Sequence, residues 1–247
     1  KIAKQFPKKQ LCTLAYLHTY NPPINLKIAS NITTLFCPIE MDRGNPISLK
    51  KNNKSVANAL ARWQSASKNL FVWDYTVQFA NYISPFPNVS YFEENYTTFK
   101  ANNVKGLFVQ GYADVPGDFS ELRQYLLAKL LWDASIDVKA TTADFLRGFY
   151  GKAASEIENY LKLLSENQKK SKAYLDIYSG PVQNRTTYLT PEAMNQYDKF
   201  LEKAWQAVDE DKTIQKRVEK LRLALEYTYF EQAKFYGADA HGLFITN

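Results

Sequence analysis

Residues 70–75 read Leu-Phe-Val-Trp-Asp-Tyr, an apolar and aromatic run interrupted by one acid near its end. A strand with one face in water alternates apolar and polar residues. Near-continuous apolarity is what a strand covered on both faces requires, as in parallel α/β sheets. Leu11–Tyr16, Thr33–Ile39 and Gly106–Gln110 share this character. Helical candidates lie between them: about Ser55–Ser67, with Leu60 and Trp63 on one face, and Val89–Asn102, introduced by the turn Phe86-Pro87-Asn88. Strands alternating with helices predict βα units.

The pattern changes after Gly117. Asp118–Trp132 places Leu122, Tyr125, Leu126 and Leu130 at helical spacing, and Thr142 reads as the N-cap of a short helix ending at Gly151. Lys152–Tyr178 reads as one helix with Ile157, Tyr160, Leu161 and Leu164 as its stripe. After the break over 178–190, Thr190-Pro191 opens another helix with a cap and a proline at its first position. Asp211–Tyr236 completes a helical region over 118–247, set against βα units over 1–117.

The chain has 247 residues and a formal charge of +6, with 31 Lys and Arg against 25 Asp and Glu. The surplus lies in residues 1–54, where nine basic residues face two acids. These lysines are scattered as Lys1, Lys4, Lys8, Lys9, Lys50, Lys51 and Lys54, flanking apolar runs, whereas a phosphate-tracking surface needs a cluster. Nucleic acid is therefore not expected as a partner. No apolar run approaches a bilayer span, so no membrane-spanning segment is expected either. Cys12 and Cys37 sit in apolar runs without ligand spacing and read as two buried thiols. Five Asn-x-Ser/Thr triplets begin at Asn31, Asn53, Asn88, Asn95 and Asn184, a number within reach of chance in an Asn-rich chain. The chain opens on KIAKQFPKKQ, which reads as a processed or excised piece.

Parallel strands bring their C-terminal ends to one edge, where α/β folds build their sites. Here the first strand runs into Tyr16-Leu17-His18, the second into Glu40-Met41-Asp42-Arg43, the third ends Trp73-Asp74-Tyr75 and the fourth Gln110-Gly111-Tyr112. Carboxylates among flat aromatic faces suit sugars, since acids move protons and rings cover the apolar faces of pyranoses. On this reading Glu40 and Asp74 are the carboxylates for acid/base work. Tyr16, His18, Arg43, Trp73, Tyr75 and Gln110 would orient the sugar, with Arg43 meeting a uronate carboxylate. Blander roles stand beside these. Glu40 would pair with Arg43, Asp74 would hold a neighbouring backbone N–H, His18 would be a surface side chain, and Trp73 and Trp132 would be core. His241 lies in a Gly-containing tail and carries no argument. No cofactor motif and no metal-ligand spacing is present, so no cofactor or metal is expected.

The same residues carry a family resemblance. Leu14-Ala15-Tyr16 with Pro22-Pro23, Cys37-Pro38-Ile39-Glu40, Trp73-Asp74-Tyr75, Pro85-Phe86-Pro87-Asn88 and Lys129-Leu130-Leu131-Trp132-Asp133 occur in an order that resembles domain-of-unknown-function family 4838. The likeness spans about residues 10–165. It implies a bacterial protein, of a kind frequent in Bacteroidetes, periplasmic or extracellular, and tied to polysaccharide degradation. The fold it implies is a (β/α)8 TIM-like barrel with a helical C-terminal region. A more distant likeness, through Leu130-Leu131-Trp132-Asp133, is to glycoside hydrolase family 67, the α-glucuronidases. In that likeness the base-bearing loop falls near Met41–Pro46, where Asn45 stands in place of a glutamate.

Four strands make half of such a barrel. The expectation is therefore an α/β fold, the C-terminal half of a TIM-like barrel followed by helices, completed by an upstream segment or a second chain. The expected function is glycoside hydrolase-like action on a complex or uronic-acid-containing polysaccharide. The alternative is a non-catalytic carbohydrate-binding protein on a degenerate barrel.

Overall fold

The computed structural model describes residues 1–25, 27–48, 52–111 and 117–237. Lys50, Lys51, Tyr112 and His241 lie outside the described residues. A short helix, α1 (Ile2–Gln5), precedes strand β1 (Leu11–Ala15). There follow β2 (Ile32–Phe36), α2 (Lys54–Ala66), β3 (Asn69–Tyr75), α3 (Phe92–Ala101) and β4 (Gly106–Gln110). Helices α4 (Ser120–Trp132), α5 (Val138–Tyr150), α6 (Ala154–Ser171), α7 (Pro191–Gln206) and α8 (Lys212–Tyr236) make up the rest.

The four strands form one sheet in the order β1-β2-β3-β4, every pair parallel. Register sorts the side chains onto two faces. Ala15, Phe36, Leu70, Val72 and Asp74 fall on the face that is buried, in one core with Leu60 and Trp63 of α2, Tyr96 and Phe99 of α3, and Leu122 and Leu126 of α4. Each fully buried Leu or Phe in such a layer contributes about 1.5–3 kcal/mol. The opposite face carries Cys12, Leu14, Leu35, Phe71, Trp73, Phe108 and Gln110. No helix covers it among the described residues: Leu14 is 44% and Phe108 52% exposed, and the Phe71 ring lies against Gly106. The continuous apolarity of Leu70–Tyr75 thus meets one covering layer, not two.

Several expectations change here. Cys12 is exposed on the open face, and only Cys37 is buried. Trp132 is 93% exposed rather than core, because Leu122, Leu126 and Leu130 occupy the inward face of α4 and a residue two places on points away. Helix α5 begins four residues before Thr142. Its cap is Asp137, whose side chain accepts the Ala140 N–H at 2.8 Å, while the Thr142 hydroxyl donates to the Val138 carbonyl at 2.7 Å. Helix α6 stops at Ser171 instead of running to Tyr178, closed by Lys172 in the left-handed region at φ 55°. Thr190 does cap α7, accepting the Ala193 N–H at 3.3 Å, and Asp211 caps α8. The five Asn-x-Ser/Thr amides serve the fold, buried Asn53 donating to the carbonyls of Asp42 and Asn45. Asn31 donates to the carbonyls of Ala3, Phe6 and Lys9, holding α1 against the sheet, and Asn88, Asn95 and Asn184 are buried. Among the described residues no helix is long and apolar enough to cross a membrane.

The candidate site at the strand ends

The C-terminal ends of β1, β2, β3 and β4 share one edge of the sheet. Past β1 the chain enters a tight turn over Leu17–Thr19, with Leu17 at φ 46°, a strained value for a side chain with a Cβ. The Thr19 hydroxyl donates to Leu14 O at 2.9 Å and accepts the Tyr16 N–H at 3.2 Å, which fixes Tyr16 at the edge of the open face. His18 is exposed on this turn. On β3 and β4 the Trp73 indole N–H donates to Gln110 Oε1 at 2.8 Å. Its ring stacks on Tyr75 (6.2 Å between centroids, 18°) and meets Phe108 edge-on (4.8 Å, 78°). Tyr75 is buried and packs with Cys37, Ile39 and Ile177. Burial pushes the Cys37 thiol up to about 11, against the opposing hydrogen bond to Tyr75.

The charged residues separate by depth. Glu40 is exposed in the turn after β2. Arg43 is buried beneath it, and its guanidinium donates to four carbonyls: Tyr75 O at 2.6 Å, Ile39 O at 3.0 Å, Met41 O at 2.5 Å and Pro38 O at 3.1 Å. A planar fork with five donors is suited to gathering carbonyls at the ends of two strands. Asp74 is also buried, on the helix-covered side of β3, and Oδ1 accepts the Tyr75 N–H at 2.8 Å. Burial raises the Asp74 carboxyl above the ordinary carboxylate range, while Arg43 and the Tyr75 N–H oppose the rise. The same burial lowers the Arg43 guanidinium, with Asp74 opposing. The structure therefore brings Tyr16, Glu40, Trp73, Tyr75 and Gln110 to one rim, with Arg43 and Asp74 buried under it and feeling each other's charge. His18 stands on the turn beside them.

One segment reaches this rim from the helical region. Residues 173–179, joining α6 to α7, cross the ends of β2 and β3 as a strap. Leu175 N donates to Asp42 Oδ1 at 3.0 Å and Leu175 O accepts Arg43 N at 2.9 Å. Ile177 O accepts the N–H groups of Phe79 and Ala80 at 2.8 and 3.2 Å. The hydroxyl of Tyr174 donates to the Glu40 carbonyl. Asp42 is itself fully buried and also accepts Gly44 N, Asn45 Nδ2 and Asn52 Nδ2. Reading 152–178 as one helix hid this segment. The available signal was the change of period after Ser171, where Tyr174, Asp176 and Tyr178 alternate with Leu175 and Ile177.

No curated protein and no solved structure matches the chain. A sequence family described as Domain of unknown function (DUF4838) matches residues 1–162, which run from α1 through the whole sheet and its rim into α6. That is most of the chain, and the protein belongs to the DUF4838 family.

Proposed function

We propose that the protein recognises a carbohydrate at this rim, as part of a glycoside hydrolase-like, TIM-like half barrel acting on a complex polysaccharide outside the bacterial cytoplasm. The observation that carries the reading is the joined set of rings and hydrogen-bonding groups. Trp73 is held by Gln110 and stacked on Tyr75, with Tyr16 and the exposed Glu40 at the same strand ends. Rigid rings beside a carboxylate and an amide bind pyranosides by covering their C–H faces while hydrogen-bonding their hydroxyls.

Hydrolysis by Glu40 and Asp74 is the catalytic form of this reading, and binding without turnover is the other. The burial of Asp74 on the helix side favours binding, since an acid of this chemistry must reach the glycosidic oxygen. The half barrel is supported by the uncovered apolar face and by β1 and β4, which pair on one side only within the four-stranded sheet. An upstream segment or a second chain laid on that face would complete it.

Incubating the full chain with soluble polysaccharides, and reading both reducing ends and calorimetric binding, tests the proposal. Saturable binding is expected, weakened about tenfold or more in Trp73→Ala. Product formation lost in both Glu40→Gln and Asp74→Asn would establish the catalytic form. Absence of binding to every polysaccharide would overturn the proposal.

A further inference from the structure

The strap over 173–179 has two unlike sides. Leu175 and Ile177 are fully buried, whereas Tyr174 and Tyr178 are 46% and 55% exposed, with Asp176 between them. Exposed tyrosines on a surface loop are unremarkable when the loop is loose. This one is fixed. Its backbone is bonded to the β2 loop through Arg43 N and Asp42 Oδ1, and to the β3 loop through Phe79 N and Ala80 N. Asp176 Oδ1 accepts the N–H groups of Tyr178 and Ser179, both at 2.6 Å, and Asn81 Nδ2 donates to Ser179 O at 3.2 Å. Rings held in place by their backbone lose little freedom when a ligand stacks on them.

The charges around these rings are of one sign at the surface. Burial raises the Tyr178 phenol, Glu40 and Tyr16 raise it further, Arg43 opposes from below, and Asp176 adds to the rise. Tyr174 likewise feels Asp42, Glu40 and Asp176 against Arg43. Arg43 is committed to four carbonyls and offers no face to a ligand carboxylate. The open side of the strap therefore presents two aromatic platforms with the carboxylates of Asp176 and Glu40 beside them.

We infer that the strap is the outer wall of the sugar site, with Tyr174 and Tyr178 stacking on a neutral pyranoside whose hydroxyls Asp176 and Glu40 accept, and that this wall rejects uronates. The inference rests on the carbohydrate reading above and narrows it. Carboxylates accept strongly from sugar hydroxyls, whereas a second carboxylate brought among them meets like charge. It also places a recognition surface on the helical region, outside the strand ends where the sequence points.

Calorimetric titration of the full chain with neutral tetraoses of glucose, xylose, mannose and galactose, and with tetragalacturonate, tests both parts. At least one neutral tetraose should bind, and tetragalacturonate should bind about tenfold more weakly at low salt, the gap closing as salt rises. Tyr178→Ala should weaken neutral binding about tenfold, and Tyr178→Trp should restore it, because a stacking role needs a ring and not a hydroxyl. Asp176→Asn, which keeps the oxygen that accepts the Tyr178 and Ser179 N–H groups, should narrow the gap against tetragalacturonate. Neutral binding that depends on Trp73 but is unchanged in Tyr178→Ala overturns the wall and leaves the rim reading standing. Tetragalacturonate bound as tightly as any neutral tetraose overturns the rejection of uronates. No binding to any of the five overturns the rim reading and this inference together.

Discussion

The two faces of the sheet are built from the same kinds of residue and have opposite fates. On one, Ala15, Phe36, Leu70 and Val72 disappear beneath α2, α3 and α4; on the other, Leu14, Cys12 and Phe108 stand in the open. Alternating residues of one strand differ in environment while remaining alike in chemistry, so the difference is not composition but the presence of a second layer. A parallel sheet with an apolar face in water is an unfinished packing problem. The comparison can be broken or sharpened by experiments that treat the faces separately.

The widest gap is expected in thiol chemistry. Cys12 on the open face should react with a thiol reagent within the mixing time of a manual assay. Cys37, buried and with its thiol held up at about 11, should wait for an opening of the structure and label more than about a thousandfold slower. If a segment or a second copy covers the open face in solution, Cys12 becomes protected as that partner is added, and the two rates converge.

Truncation comes next. Leu70→Ala on the covered face should cost about 2–5 kcal/mol in urea unfolding, from lost burial and the cavity left behind. Phe108→Ala on the open face should cost less than about 1 kcal/mol, since half of the ring already meets water. Equal costs would mean that the open face is packed in solution.

The smallest effect is a slope with pH, and it belongs to the covered side. Asp118, between β4 and α4, is buried against Arg123 at 3.4 Å and accepts the Phe86 N–H at 3.1 Å. Burial raises its carboxyl to about 6, with Arg123 and that N–H opposing. The folded state thus holds this proton more tightly than the unfolded chain. The resulting stability is fully present below about pH 4 and is lost as pH climbs through 6. Stability in urea should therefore increase from pH 7 to pH 5 by about 1 kcal/mol in free energy, and Asp118→Asn should flatten most of that rise. Asp74 is raised in the same direction, so its contribution carries the same sign. Glu121 and Glu202 are lowered and act only below about pH 4.5, with the opposite sign. No slope between pH 5 and 7 would mean that Asp118 is well solvated or fully compensated.

The strands were legible because a run such as Leu70–Tyr75 is short, apolar and bounded. Each observed strand starts within a residue of its expected position, though β2 ends at Phe36 and not at Ile39. What failed depended on neighbours distant in sequence. Thr142 and Asp137 are both capping types, and only the turn geometry selects Asp137. The exposure of Cys12 follows from which face β1 turns to the helices, and register is not written in a five-residue run. Within the candidate site, Tyr16, Glu40, Trp73 and Gln110 could be placed because a strand end is a local feature. Arg43 reads as a partner for a uronate carboxylate or for Glu40, because nothing near it in sequence shows that four carbonyls would converge on it. The strap was invisible for the same reason, since its bonds join residues more than ninety positions apart.

The strap also separates two meanings of the word domain. The match to the family ends at residue 162, inside α6, yet the chain beyond it returns to bond Asp42, Arg43, Phe79 and Ala80. A fragment cut at 162 would leave those backbone groups without their partners and uncover the apolar patch around Cys37, Ile39 and Tyr75 where Ile177 sits. The matched stretch is shorter than the unit that packs together, and the difference between them includes the piece of chain that fastens the rim.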